Sequence, residues 1–174
     1  MLNSMVTIFN TLLAIGSLAL GVFTLITIVL LCLKHEALST ISKHTSLILR
    51  VILIGCALGS LTYELVFGYS PCLLCWYQRM TLFPLAILVL TANIRTSRLL
   101  QRQVLILSSI GFIFALVHNW IDIFPGGPDI CGSGPSCLLR YVDVFGFVTI
   151  PLMSAITLLS VIVFTLVARR YPQD

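Results

Sequence analysis

The chain has 174 residues, of which 59% are hydrophobic and only 9% charged, and its mean hydropathy is +1.09. A soluble domain carries about 25% charged residues, so this composition excludes a water-soluble globule, and apolar runs of about 20 residues point to membrane-spanning helices rather than a barrel. The net charge of +4 comes from short clusters between those runs, which marks it as a topology signal and not as a nucleic-acid footprint.

Five apolar runs follow one another. The first, about Met5–Leu33, is uncharged throughout. As a helix it is roughly 43 Å long, more than a ~30 Å hydrocarbon core, so it must tilt or protrude. It has no basic segment before it, it is too long for a signal peptide, and its positive charge follows it, so it reads as a retained helix. The second run is about Leu47–Phe67. Glu64 lies near its end and reads as an interfacial carboxylate. Cys32 and Cys56, alone within apolar spans, read as small hydrophobes.

The third run, about Trp76–Ile94, is entered through Pro71-Cys72-Leu73-Leu74-Cys75-Trp76-Tyr77-Gln78-Arg79. Pro71 suits the start of a helix, which places Cys72 near the helix N-terminus and Cys75 one turn in. A helix N-terminus favours thiolate over thiol, and Arg79, four residues beyond Cys75, falls on the same face. A CxxC disulfide closes too small a loop to stabilise much by chain entropy, so a redox role outweighs a structural one. A charge within a span is a functional candidate, although an arginine near a span end also snorkels to headgroups.

The fourth run, about Val104–Phe124, carries His118 roughly one turn from its end. There it is placed to hydrogen-bond a ligand carbonyl, to pass a proton, or simply to pack. Tyr69, Trp76, Tyr77, Trp120 and Phe124 gather at this end of the spans, as an aromatic belt or as the walls of a flat apolar slot. The next loop holds Cys131 and Cys137 among Gly126, Gly127, Pro128, Gly132, Gly134 and Pro135. Such punctuation reads as a flexible, exposed loop, and thiol exchange needs an accessible sulfur. A loop-closing disulfide and a four-thiolate zinc site made by both pairs remain open at this stage. The fifth run is about Phe145–Ala168.

Lys34, Lys43, Arg50, Arg95, Arg98, Arg102, Arg169 and Arg170 fall on one side of these spans, and only Arg79 and Arg140 near the other. That bias puts the C-terminus in the cytoplasm and, with five spans, the N-terminus outside. Both cysteine pairs then face the compartment in which disulfides persist. The fold class expected is an all-α integral membrane protein with five spans.

Pro-Cys-x-x-Cys-Trp-Tyr-Gln-Arg entering a helix, followed by a closely spaced cysteine pair in the next outer loop, resembles the DsbB family of disulfide-bond formation proteins. The likeness is closer to its BdbC-type branch, where the second pair is also closely spaced. It spans about Leu47–Ala168 and includes Phe147-Val148-Thr149-Ile150-Pro151. The resemblance implies a four-helix transmembrane redox domain over residues 47–174, preceded by an extra N-terminal helix and cytoplasmic link over residues 1–46. It implies a quinone-dependent thiol oxidase of the bacterial inner membrane, with redox loops facing the periplasm or exterior. A DsbA-like thioredoxin-fold oxidase of the periplasm or envelope would deliver two electrons to Cys131–Cys137. Exchange would pass them to Cys72–Cys75, and Cys75 would reduce a ubiquinone or menaquinone held with Arg79 and His118. DsbA itself has a known potential near about −120 mV, and about 30 mV is ~1.4 kcal/mol for two electrons, so its reoxidation needs a strong acceptor such as a membrane quinone. No flavin motif such as GxGxxG is present, and neither flavin nor metal is expected. Gln78 stands where some relatives have an acidic residue, and the short Cys131–Cys137 spacing argues against a wide-swinging second loop. Two other readings are a quinone reductase of the vitamin K epoxide type and a membrane scaffold with structural disulfides.

Overall fold

A computed structural model describes residues 2–124, 131 and 135–171. Five helices make up almost all of it: α1 (Leu2–Leu33), α2 (Ala37–Leu65), α3 (Leu73–Thr91), α4 (Arg98–Ile123) and α5 (Ile150–Arg170). All five are long and apolar enough to cross a membrane. Four of them close a ring in which α2 packs on α3, α3 on α4, α4 on α5 and α5 back on α2. The first helix lies against α5 and touches α2 more sparingly.

The side chains sort as a bilayer requires. Large apolar residues such as Val51, Ile87, Ile106 and Ile113 are exposed on the outside, while Ser42, Thr45, Ser108, Ser160 and Thr165 are buried. Lipid is as apolar as leucine, so helix association here rests on close packing and interhelical hydrogen bonds. Gly111 permits one such approach, because a Cβ there would run into Thr81 of α3 and Leu158 of α5. The hydroxyls of Thr24 and Ser160, 2.7 Å apart, tie α1 to α5.

Two boundaries differ from the hydropathy reading. The second helix begins at Ala37 and runs unbroken through residues 46 and 47, so part of the expected link is helical. Hydropathy detects the lipid-matched stretch, whereas a helix continues beyond it wherever residues such as Ala37, Leu38 and Lys43 favour one. The fifth helix begins at Ile150, with Pro151 in its first turn, where its missing N–H costs nothing. Residues before it form a tight turn in which Phe145 (φ 59°) and Gly146 (φ 77°) are both left-handed and Val144 bridges Val148. That is type I′ geometry.

The packed core, including Leu49, Leu53, Leu85, Val89, Val104 and Phe164, fills the half of the bundle near Ile94. At that end Arg50 Nε donates to the Val89 carbonyl (3.0 Å), and Arg98 Nη1 to that of Arg169 (3.0 Å). The cysteine pairs lie at the opposite end.

Candidate functional site

The third helix starts on a cysteine. Cys72 is its N-cap, with extended backbone (φ −72°, ψ 171°), and its sulfur accepts from the Cys75 N–H at 3.4 Å. Serine or aspartate usually fills this position. One turn in, Cys75 Sγ lies 3.0 Å from Cys72 Sγ, the two sharing a hydrogen bond.

Cys131 and Cys137 are joined as a disulfide with Cα atoms 5.9 Å apart. Both are buried, in one cluster with Cys72 and Leu74, and Cys75, Phe114 and Ile121 pack against it. An exposed pair was expected. The bridge is apolar and packs on the start of α3, which removes it from solvent. Residues 125–130 and 132–134, on which the expectation of a flexible loop rested, lie outside the described residues.

His118, on α4, links the two pairs. Its Nε2 lies 3.8 Å from Cys72 Sγ and 3.3 Å from the Cys137 carbonyl oxygen, and its Nδ1 lies 3.3 Å from Gln78 Nε2. An amide nitrogen only donates and a carbonyl oxygen only accepts, so both contacts fix the same tautomer, with the proton on Nε2. His118 is buried and so is Gln78.

The electrostatics at Cys72 follow. The Cys75 thiol, the His118 N–H and the Cys75 backbone N–H all point at its sulfur and hold its pKa well below the usual thiol range, against the opposing effect of burial. Of the pair, Cys72 is the one whose ionisation these contacts favour.

Arg79 is buried and shares the cysteine end, yet its guanidinium is already engaged. Nε donates to Ser60 Oγ (2.8 Å), Nη2 to the Ser60 carbonyl (2.9 Å) and Nη1 to Glu64, and the group lies 5.6 Å from the Trp76 ring centroid. Glu64 is thus an ion-pair partner rather than a free interfacial carboxylate. Arg140 makes the matching contact on the other side, with Nε 2.6 Å from Asp122 Oδ1 and Nη2 2.8 Å from the Asp122 carbonyl. It fastens the segment after Cys137 to the end of α4. Ser60, Gln78, Asp122 and Arg140 were not singled out as site residues from sequence, and the only signal for the last two was that they carry charge on a side poor in cations.

Beside the thiols is a cavity of about 430 Å³ lined by residues of all five helices and of the segment around Cys137–Val142. Cys72, Cys75, Arg79 and His118 line it together with leucines, glycines and tyrosines. Its size falls within the ~300–1,000 Å³ typical of small-molecule sites, and it pairs apolar walls with a few polar groups, as such sites do.

Residues 42–168 match the family model for disulfide bond formation protein DsbB. The chain belongs to the DsbB family. It is 33% identical over 116 residues to disulfide bond formation protein C of Bacillus subtilis (strain 168), covering 66% of this chain and 84% of that protein. It is 37% identical over 114 residues to a probable disulfide formation protein of Coxiella burnetii (strain RSA 493 / Nine Mile phase I), covering 64% and 78%. A further 37% identity over 100 residues links it to the SPbeta prophage-derived disulfide bond formation protein B of B. subtilis (strain 168), covering 57% and 68%. No solved structure matches it significantly. The DsbB-family chain is accordingly a multi-pass membrane thiol–disulfide oxidoreductase that serves disulfide bond formation.

Proposed function

We propose that this chain reoxidises a thioredoxin-fold thiol oxidase and passes the electrons to a membrane quinone. The observation that carries this reading is the packing of two cysteine pairs against each other in one cluster, with an apolar cavity beside Cys75. The redox unit is residues 47–174, with residues 1–46 added before it.

In the first exchange a thiolate of the reduced partner attacks the Cys131–Cys137 bridge, and the partner leaves oxidised. A thiolate of the resulting Cys131/Cys137 pair then attacks the Cys72–Cys75 disulfide, so that the Cys131–Cys137 bond reforms as the Cys72–Cys75 bond breaks. His118 Nε2–H and the Cys75 N–H stabilise the Cys72 thiolate as a leaving group, and a leaving thiol of lower pKa leaves faster. A bound quinone supplies an acceptor for two electrons and two protons. Cys75, deeper in α3 and on the cavity wall, faces that space, while Arg79, held by Ser60 and Glu64, places a fixed positive charge on the same wall. With its Nδ1 held by Gln78, His118 is positioned to move a proton at Nε2.

The basic end of the bundle belongs on the cytoplasmic side and the cysteine end outside, by the positive-inside bias. A bacterial inner membrane with its redox loops towards the periplasm or exterior fits both.

The test is quinone reduction followed by absorbance, with detergent-purified protein, a reduced thioredoxin-fold oxidase and either a short-chain ubiquinone or a menaquinone. Catalytic quinone loss is expected with the wild type, and none with Cys75→Ser. Turnover by Cys75→Ser at the wild-type rate, or no turnover with either quinone, refutes the relay.

A further inference from the structure

The cavity beside the thiols reaches the lipid-facing surface. Leu12 and Gly16 on α1 and Val51 and Gly55 on α2 line it and are exposed. The two helices run antiparallel in a readable register. Phe9 meets Tyr63 (centroids 5.5 Å apart) and Phe67 (5.4 Å), and Leu13 lies 3.5 Å from where a Cβ on Gly59 would stand. From Gly21 onwards α1 leaves α2 for α5, where Gly21 faces Ile156 and Phe23 faces Phe164. Gly16 and Gly55 fall between these contacts. Glycines in membrane helices usually let backbones close up, as Gly111 does, but a Cβ on Gly16 or Gly55 would meet nothing within 4 Å. They leave a gap at the midpoint of α1, the depth of the hydrocarbon core.

A second observation lies at the closed end of the gap. The Tyr63 hydroxyl has no hydrogen-bond partner among the described residues, although the residue is 6% exposed and lines the cavity. A buried hydroxyl left unpaired costs about 1–3 kcal/mol, so the site is built for an acceptor that arrives with the ligand.

We propose that α1 and α2 form the seat of the quinone: its isoprenoid tail lies in the gap at Gly16 and Gly55, and a ring carbonyl accepts a hydrogen bond from Tyr63. This rests on the quinone reading above and assigns the first helix, which lies outside the family match, a place in the site. A mouth that opens at hydrocarbon depth suits a ligand dissolved in the bilayer, and a tail in the gap would leave the ring against the wall that carries Cys75 and Arg79.

The test is equilibrium binding by tryptophan quenching, on fully oxidised protein without a thiol donor. The probes are a decyl-tailed benzoquinone and the same ring without a tail. Gly55→Leu fills the gap and is expected to weaken the tailed probe about tenfold while leaving the tail-less ring unchanged, and Gly16→Leu to do the same from the other helix. Tyr63→Phe keeps the aromatic stack and is expected to weaken both probes roughly three- to tenfold. Unchanged affinity in all three variants would overturn the seat, and an acyl chain of membrane lipid would then be the occupant of the gap. Equal loss of both probes in the leucine variants would overturn the placement of the tail. Failure of the wild type to bind either probe would instead strike the quinone reading itself.

Discussion

Cys72 combines two roles that usually fall to different residues. As N-cap it must present an acceptor to the first turn of α3, and in the proposed relay it must ionise. The same donors serve both needs, since each hydrogen bond aimed at Sγ favours the thiolate. The order of their effects is testable. Because its pKa is held below the ordinary value of about 8.5, the Cys72 thiolate absorbance near 240 nm should persist as pH falls through neutrality in the reduced protein. Cys75→Ala removes the largest cause and should move the transition furthest towards alkaline pH, His118→Ala less far. A transition near pH 8.5 in the wild type would refute the hydrogen-bonded thiolate. The linkage has a definite sign. A depressed folded-state pKa contributes stability that is complete above the unfolded thiol value and is lost as pH falls through the folded one. The reduced protein should therefore lose this part of its stability on acidification, and Cys72→Ala should flatten that slope. Much of this site is written in Pro71-Cys72-x-x-Cys75, because a proline and a helix start place the sulfurs without help from elsewhere. The tautomer of His118 is not, since it depends on Gln78, forty residues away on another helix. Arg79 was legible as an unusual charge, but its partners Ser60 and Glu64 were not, because pairing across helices leaves no trace in local spacing.

Among the helices, packing at a glycine and hydrogen bonding at a serine make separable contributions. Adding a methyl at Gly111 forces Thr81 and Leu158 to move, and overpacking of this kind typically costs about 1–3 kcal/mol. Removing the Ser160 hydroxyl breaks the link to Thr24, but interhelical hydrogen bonds in membranes average only ~0.6 kcal/mol. Gly111→Ala should thus destabilise the bundle more than Ser160→Ala when unfolding is followed by circular dichroism in mixed micelles. The reverse order would mean that α1 is held chiefly by its hydroxyl contact. The five spans themselves were legible because the bilayer imposes length and apolarity on each. Their exact ends were not. The start of α2 lies ten residues before the apolar run because a helix need not stop where lipid does. The start of α5 lies later because Phe145 and Gly146 turn the chain first, and an apolar turn looks like the beginning of a span.

At the scale of the whole molecule, the two ends of the bundle differ in kind. One end is basic and tied by arginines to carbonyls: Arg95 Nη1 reaches the Lys43 carbonyl at 3.3 Å, and Arg98 that of Arg169 at 3.0 Å. The other end holds the cysteine cluster and Arg79 and Arg140, each paired with an acid. Orientation responds to the count of lysines and arginines on short loops, and acids count for little, so eight cations against two should set it even though the two are paired. The proposed relay depends on this, because an envelope oxidase would reach Cys131–Cys137 only from outside. A C-terminal epitope should therefore be digested by protease in inverted membrane vesicles and protected in intact spheroplasts. Replacing Arg95, Arg98 and Arg102 together by glutamine removes three of the eight cations while leaving the cysteine end intact. That variant should yield a mixed population in the protease assay, with quinone-linked thiol oxidation falling in proportion to the misoriented fraction. A protected epitope in inverted vesicles of the wild type would reverse the orientation and remove the cysteines from any envelope partner.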